Sequence, residues 1–159
     1  MTSIISVVPS VLDYLVTTFA AAPTLGTATP PVAVYDGPVT TDDADMLVLW
    51  VGLEDPDAET GQLAADSMRE WSGLAGQSEK IVIYCAAESW SGDTNISAER
   101  VRAYGIVAAV EALVRADTTG FGGNAMIANP GVSEARLVQN NTTRGSQARV
   151  TFQILLNSL

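Results

Sequence analysis

The carboxylates between Glu54 and Asp66 are the residues of this sequence whose spacing comes nearest to a chemistry. Asp55, Asp57 and Glu59 alternate, Gly61 follows, and Asp66 stands twelfth counted from Asp55. That spacing imitates a calcium loop, which needs glycine at its sixth position, where the chain turns sharply, and a bidentate glutamate at its twelfth. Thr60 holds the sixth place here, Gly61 comes one late, and the twelfth ligand is the shorter aspartate. No helical pattern leads into the segment, so a solvated acidic loop is the favoured reading. A small calcium- or ligand-binding module using residues 55–66 is the alternative from a different class.

The remaining candidates carry less. Asp42, Asp43 and Asp45 offer paired carboxylates, but acid–base work needs one carboxyl desolvated enough to hold its proton near neutrality. Their polar surroundings, just before a strand, supply no such pocket. Ser89-Trp90-Ser91-Gly92 lacks the G-x-S-x-G elbow, and the sequence contains no histidine, so a Ser-His-Asp triad is excluded. Gly120-Phe121-Gly122-Gly123-Asn124 neither follows a strand nor opens a helix, as a phosphate-cradling loop must. Cys85 is the sole cysteine; it admits no intrachain disulfide or cysteine-built zinc site and reads as a small buried residue. Trp50, Trp71 and Trp90 fall at strands or strand ends and read as core or interface packing, with a stacking platform as the lesser alternative. The sequence therefore points away from an enzyme, with no catalytic residue, metal ligand or cofactor assigned.

Charge is distributed unevenly. Residues 1–68 carry ten acids and no Lys or Arg, whereas residues 69–159 carry eight acids and eight bases. The whole net charge of −10 thus resides in the first 68 residues. Such a field repels phosphates and anionic lipid surfaces, so specific nucleic-acid binding and membrane association are not expected. The apolar run from Ile4 to Ala22 contains Asp13 and has no basic residue ahead of it, which argues against a signal peptide or membrane span.

The elements that must position these residues are legible from periodicity. Ile5, Val8, Leu12, Leu15 and Phe19 recur at helical spacing, with Pro9 in the first turn and Pro23 closing the helix near Ala22. Val32–Tyr35 and Met46–Val51 read as strands, the second a continuous apolar run with both faces covered. Residues 53–68 read as a long loop, and Arg69–Ala75 and Lys80–Ala87 as two further strands. A second helix runs from an Asn95 or Ser97 cap to about Ala116. Val132–Gln139 and Gln147–Asn157 form a hairpin, with Ala148, Val150, Phe152, Ile154 and Leu156 on one face of its last strand. The expected fold class is α+β: a single domain, residues 1–159, with a mixed or mostly antiparallel sheet and two helices packed on one face.

The order of these pieces resembles the tail terminator, or tail-to-head joining, proteins of long non-contractile-tailed phages (siphoviruses), especially those of actinobacterial hosts. The stretches that carry the resemblance are Val34-Tyr35-Asp36-Gly37-Pro38, Leu49-Trp50-Val51-Gly52 with Glu54-Asp55-Pro56, and Glu70-Trp71. Tyr84-Cys85-Ala86-Ala87-Glu88-Ser89-Trp90-Ser91-Gly92-Asp93 and Arg144-Gly145-Ser146-Gln147-Ala148-Arg149-Val150-Thr151-Phe152 complete them. The resemblance implies a structural virion protein: a hexameric ring that caps the tail tube, stops its polymerisation and joins it to the head-side connector or stopper protein. It implies no cofactor, a place in the neck of the virion, and host cytoplasm during assembly. Another head–tail connector or tail tube subunit is the close competitor. Phage DNA must then pass through the lumen without specific binding, which makes Glu54, Asp55, Asp57, Glu59 and Asp66 candidate lumen or ring-interface residues. Phe152 and Ile154 are candidates for a subunit interface or for the core.

Overall fold

A computed structural model describes residues 6–38, 47–58, 61–71, 77–123 and 127–158. The chain forms α1 (Val8–Ala21), β1 (Ala33–Asp36), β2 (Leu47–Val51), β3 (Ala65–Trp71) and β4 (Gln77–Ser91). Then come α2 (Ile96–Ala116), the single turn α3 (Gly120–Gly123), β5 (Ile127–Thr142) and β6 (Gly145–Ser158). Six strands make one mixed sheet in the order β1-β2-β4-β6-β5, with β3 also paired to β4. Only the β1–β2 pair is parallel among these strands. The α+β class expected from the sequence is therefore the one observed.

Alternation builds the core. Ile81, Ile83, Cys85 and Ala87 of β4 and Ala148, Val150, Phe152, Ile154 and Leu156 of β6 point to one face and are buried. That face meets Val11, Leu15 and Phe19 of α1 and Ala103, Ile106, Val110 and Val114 of α2 in one continuous cluster. Burying each large apolar side chain contributes about 1.5–3 kcal/mol, so this face decides which way the sheet turns. Along α1 the buried stripe is Val11-Leu15-Phe19, with Val8 and Leu12 flanking it; Ile5 lies outside the described residues. Asn95 caps α2, its side chain accepting from the Ala98 amide at 3.2 Å. On the last turn between helix and strand, Asp117 accepts from the Tyr14 hydroxyl (2.6 Å) and the Phe121 amide (2.8 Å). Burial opposes the Asp117 charge, but these bonds and those from Thr119 together hold its carboxyl below the usual range.

Strand bounds differ from the sequence reading in β3, β4 and β5; β4, expected over Lys80–Ala87, runs from Gln77 to Ser91 and takes in Ser89-Trp90-Ser91. The third strand starts at Ala65, not Arg69, and Asp66 is consequently a strand residue rather than part of the loop. Asp66, Ser67, Met68, Arg69 and Glu70 are all exposed, so hydrophobic alternation gives no signal there and backbone pairing to β4 alone makes the strand. β5 begins at Ile127, not Val132, and runs through Pro130 and Gly131. Register shifts between Ala128 and Gly131 and between Ser133 and Arg136 absorb these breakers. Proline is tolerated because β5 is an edge strand.

Candidate functional site

The face of the sheet turned away from the helices is mixed, mostly polar along β6 and with apolar residues such as Val48, Val82 and Ala86 on β2 and β4. On β6 it presents Gln147, Arg149, Thr151, Gln153, Leu155 and Asn157, and on β4 Val82, Tyr84, Glu88 and Trp90. This open face is where the acidic loop lies, and one residue of β4 explains how the loop reaches it. The amides of Gly52 and Leu53 both donate to the Tyr84 carbonyl (2.8 and 2.9 Å), while the Tyr84 amide donates to the Ala64 carbonyl (3.0 Å). The edge of β4 is shared: Cys85–Ser89 pairs with β2 and Gln77–Ile83 with β3. The chain between the two strands must therefore leave the sheet at Tyr84 and return to it there.

Side chains then fix the excursion. Within the loop, Asp55 Oδ1 accepts from the Asp57 amide (2.9 Å), and Gln62 Oε1 accepts from the Asp55 amide (3.0 Å). Asp57 reaches back to the sheet, where Arg149 Nη1 donates to its Oδ2 at 2.6 Å. Arg149 also donates through Nε and Nη2 to Glu88 Oε2 (3.1 and 2.9 Å), and Gln147 donates to the other oxygen of Glu88. Burial disfavours the guanidinium charge, but the bond to Asp57 and the charge of Glu88 outweigh it, so Arg149 is held even more firmly protonated than usual. At the return point the Tyr84 hydroxyl donates to Asp66 Oδ2 at 2.6 Å. That bond, with desolvation and the negative charges of Asp66, Glu54 and Glu134, pushes the phenol up to about 12.

Between the loop and β5 runs a groove of about 460 Å³, edged by Glu54, Asp55, Tyr84, Glu134, Arg136 and Gln153. Gln153 donates to Glu134 across it at 2.9 Å. Glu134 sits at the second β5 irregularity with φ 53, a left-handed conformation that re-aims its side chain.

Glu54, Asp55, Asp57 and Asp66 therefore do share one face of the molecule; Glu59 lies outside the described residues, as do Asp42, Asp43 and Asp45. They do not converge as ligands. Asp57 turns to Arg149 and Asp66 to Tyr84, and among the described residues no three carboxylates, histidines or cysteines gather as a metal site. Phe152 (2% exposed) and Ile154 (0%) belong to the core cluster beneath the helices. Cys85 is wholly buried, and desolvation pushes its thiol up to about 12, the Gly52 amide only partly opposing this. Trp50 and Trp90 are half-buried on the open face, and the Trp71 side chain is outside the described set. Sequence reasoning missed Arg149, Glu88 and Tyr84. The available signal was the polar half of the same alternation that located the core.

The fold and site together define an α+β domain with one sheet face sealed by helices and the other carrying an anchored acidic loop. Among the described residues, no helix is long and apolar enough to cross a membrane. No protein-family model matches the chain, and no curated protein matches it either.

Proposed function

We propose that this chain is a structural virion protein, the ring-forming tail terminator of a long-tailed phage. In this role it caps the tail tube, stops its polymerisation and joins it to the head-side connector. The supporting observation is the collection of Glu54, Asp55, Asp57 and Asp66 on the one sheet face that the helices leave uncovered. A protein that must hold its shape while DNA slides past needs a surface that gives phosphates nothing to pair with. Six copies at −10 each carry −60 formal charges, a barrier to counterion-releasing phosphate contacts. The loop is braced by Arg149 at Asp57 and by Tyr84 at Asp66, which leaves Glu54 and Asp55 exposed at the groove. The order of sequence segments supplies the rest of the reading, including the tube and connector as partners and the virion neck as location.

The test is native mass across a concentration range, followed by imaging of tail ends. A species near six times 16.6 kDa that decorates tube ends supports the terminator. Tails of unregulated length in a phage lacking the protein would separate it from a neighbouring connector, whose loss leaves tail length normal. Tails of normal length without the protein would exclude the terminator role.

A further inference from the structure

We propose that residues 53–58 form a hinged strap across the open face of β4, closed by the Asp57–Arg149 ion pair and released by salt while the sheet stays folded. Such a strap requires no ring and holds for a lone subunit. Among the described residues, Val48, Leu53 and Ala86 are buried apolar side chains that stand outside the main core cluster. Val48 and Ala86 belong to the face turned away from the helices, so something other than α1 and α2 hides them. For Ala86, which has no exposed surface at all, the path of the chain supplies the cover. Leu53 is bonded at Tyr84, and Asp57 meets the Arg149 that Glu88 also holds. Ala86 lies between Tyr84 and Glu88 on the same side of β4, and Thr151, its partner on β6, lines the groove beside Glu54 and Asp55. Residues 53–58 therefore run past Ala86 on their way to Arg149.

Within itself the strap is well bonded. Asp55 accepts from the Asp57 amide through its side chain and from the Ala58 amide through its carbonyl (2.9 and 3.1 Å). Gln62 ties in both ends, accepting from the Asp55 amide at 3.0 Å and donating to the Ala58 carbonyl at 3.4 Å. These bonds owe nothing to the sheet, so the segment can swing without losing them. Gly52 provides the pivot: it adopts φ +80, which glycine reaches without steric cost. The Gly52 and Leu53 amides, both on the Tyr84 carbonyl, hold the pivot in place.

The hold of the strap on the sheet is slight by comparison. Beyond the buried Leu53, Pro56 is half-buried and Glu54, Asp55, Asp57 and Ala58 are exposed, so opening forfeits little apolar burial. The ion pair that closes the strap is exposed on its Asp57 side and is therefore screened by salt. Release also strands no charge. When Asp57 leaves, Arg149 keeps Nε and Nη2 on Glu88 Oε2, and the half-buried guanidinium stays paired. A second carboxylate behind the latch is what makes the opening reversible.

The experiment places a thiol under the strap with A86C in the full chain and follows its reaction with uncharged N-ethylmaleimide by intact mass. Cys85, buried on the opposite side of β4, is the built-in control for opening of the whole sheet. A86C should react at least about tenfold faster than Cys85 and at least about tenfold slower than the unfolded chain, as a local opening requires. Raising salt from about 0.1 to 1 M, which shortens the screening length from about 10 to about 3 Å, should speed A86C about two- to fivefold and leave Cys85 unchanged. D57N in the same background should show that gain at low salt and no further response. D57K, which sets two cations against each other, should react fastest at low salt and slow as salt rises. A86C reacting at the Cys85 rate throughout, or at the unfolded-chain rate from the start, would overturn the inference, as would an undiminished salt response in D57N. Should A86C not fold, relaxation dispersion on the unaltered chain reads the same motion: residues 53–58 should exchange on the microsecond-to-millisecond scale and D57N should enlarge it. Flat profiles in both chains would overturn the strap.

Discussion

Replacing Arg149 with methionine should cost far more than replacing the aspartate it reaches. The Arg149 side chain is 14% exposed and Glu88 11%, whereas Asp57 is 76% exposed. At 2.9 Å the Arg149–Glu88 attraction is about 6 kcal/mol at an effective dielectric of ~20, most of it offset by the cost of desolvating both groups. Net stability from the pair is accordingly small, but removing one partner strands the other. A fully buried carboxylate left alone costs about 3–5 kcal/mol; for Glu88, with Gln147 still donating, about 3 is expected. With a urea m-value of ~2 kcal/mol/M, R149M should lower the unfolding midpoint by about 1.5 M. D57N breaks only an exposed contact and should cost under about 1 kcal/mol. The double variant E88L/R149M removes both charges and should recover most of the R149M loss, a coupling of about 2 kcal/mol in the double-mutant cycle. Limited proteolysis adds a local readout: D57N and R149M should both speed cleavage within residues 53–64, although only R149M unfolds the sheet more easily. A loss below ~1 kcal/mol in R149M, or strict additivity with E88L, would refute the argument that Arg149 is what makes a buried Glu88 tolerable.

Tyr84 should ionise at about 12 in the native protein, and D66N should bring that back toward 10.0, read as the phenolate absorbance difference against Y84F. Because the folded-state value lies above the unfolded one, this contribution to stability is complete below pH 10 and is lost as pH rises toward 12. Cys85, raised to about 12 and fully buried, should react with an aromatic disulfide at pH 8 only as fast as the chain opens, and promptly in denaturant. F152A should cost about 3–5 kcal/mol by thermal or urea unfolding, and F152D should abolish folding; a soluble, folded F152D that merely fails to assemble would place Phe152 at an interface instead.

The core was legible in the sequence because burial and periodicity report the same thing. Ala148 to Leu156 alternate without interruption, and α2 repeats its apolar residues every three or four places, so both elements and their inward faces follow from pattern alone. β3 was not legible over Asp66–Glu70, since a strand exposed on its side chains is specified by the partner it pairs with. β5 was not legible ahead of Val132, because bulged edge pairing around Pro130 and Gly131 leaves no local mark distinguishing it from a loop.

The site was half legible for a more general reason. Alternation names the residues that face away from the core but not which of them meet. Arg149 lies 92 residues from Asp57 and 61 from Glu88 in sequence, and no spacing rule connects such partners. What unites them is the shared edge of β4, which forces residues 53–64 out of the sheet at Tyr84. The bond from Arg149 to Asp57 is the described ion pair that joins the acidic first 68 residues to the charge-balanced remainder. Because one arginine meets one of these carboxylates, the link holds the loop without neutralising it: Glu54 and Asp55 remain exposed at the groove. Arg136 also edges this groove, yet none of the ion pairs among the described residues includes it. An ion-paired anchor with surplus acid around it holds a negative surface in place without quenching it, which is the property that the proposed passage of DNA would require.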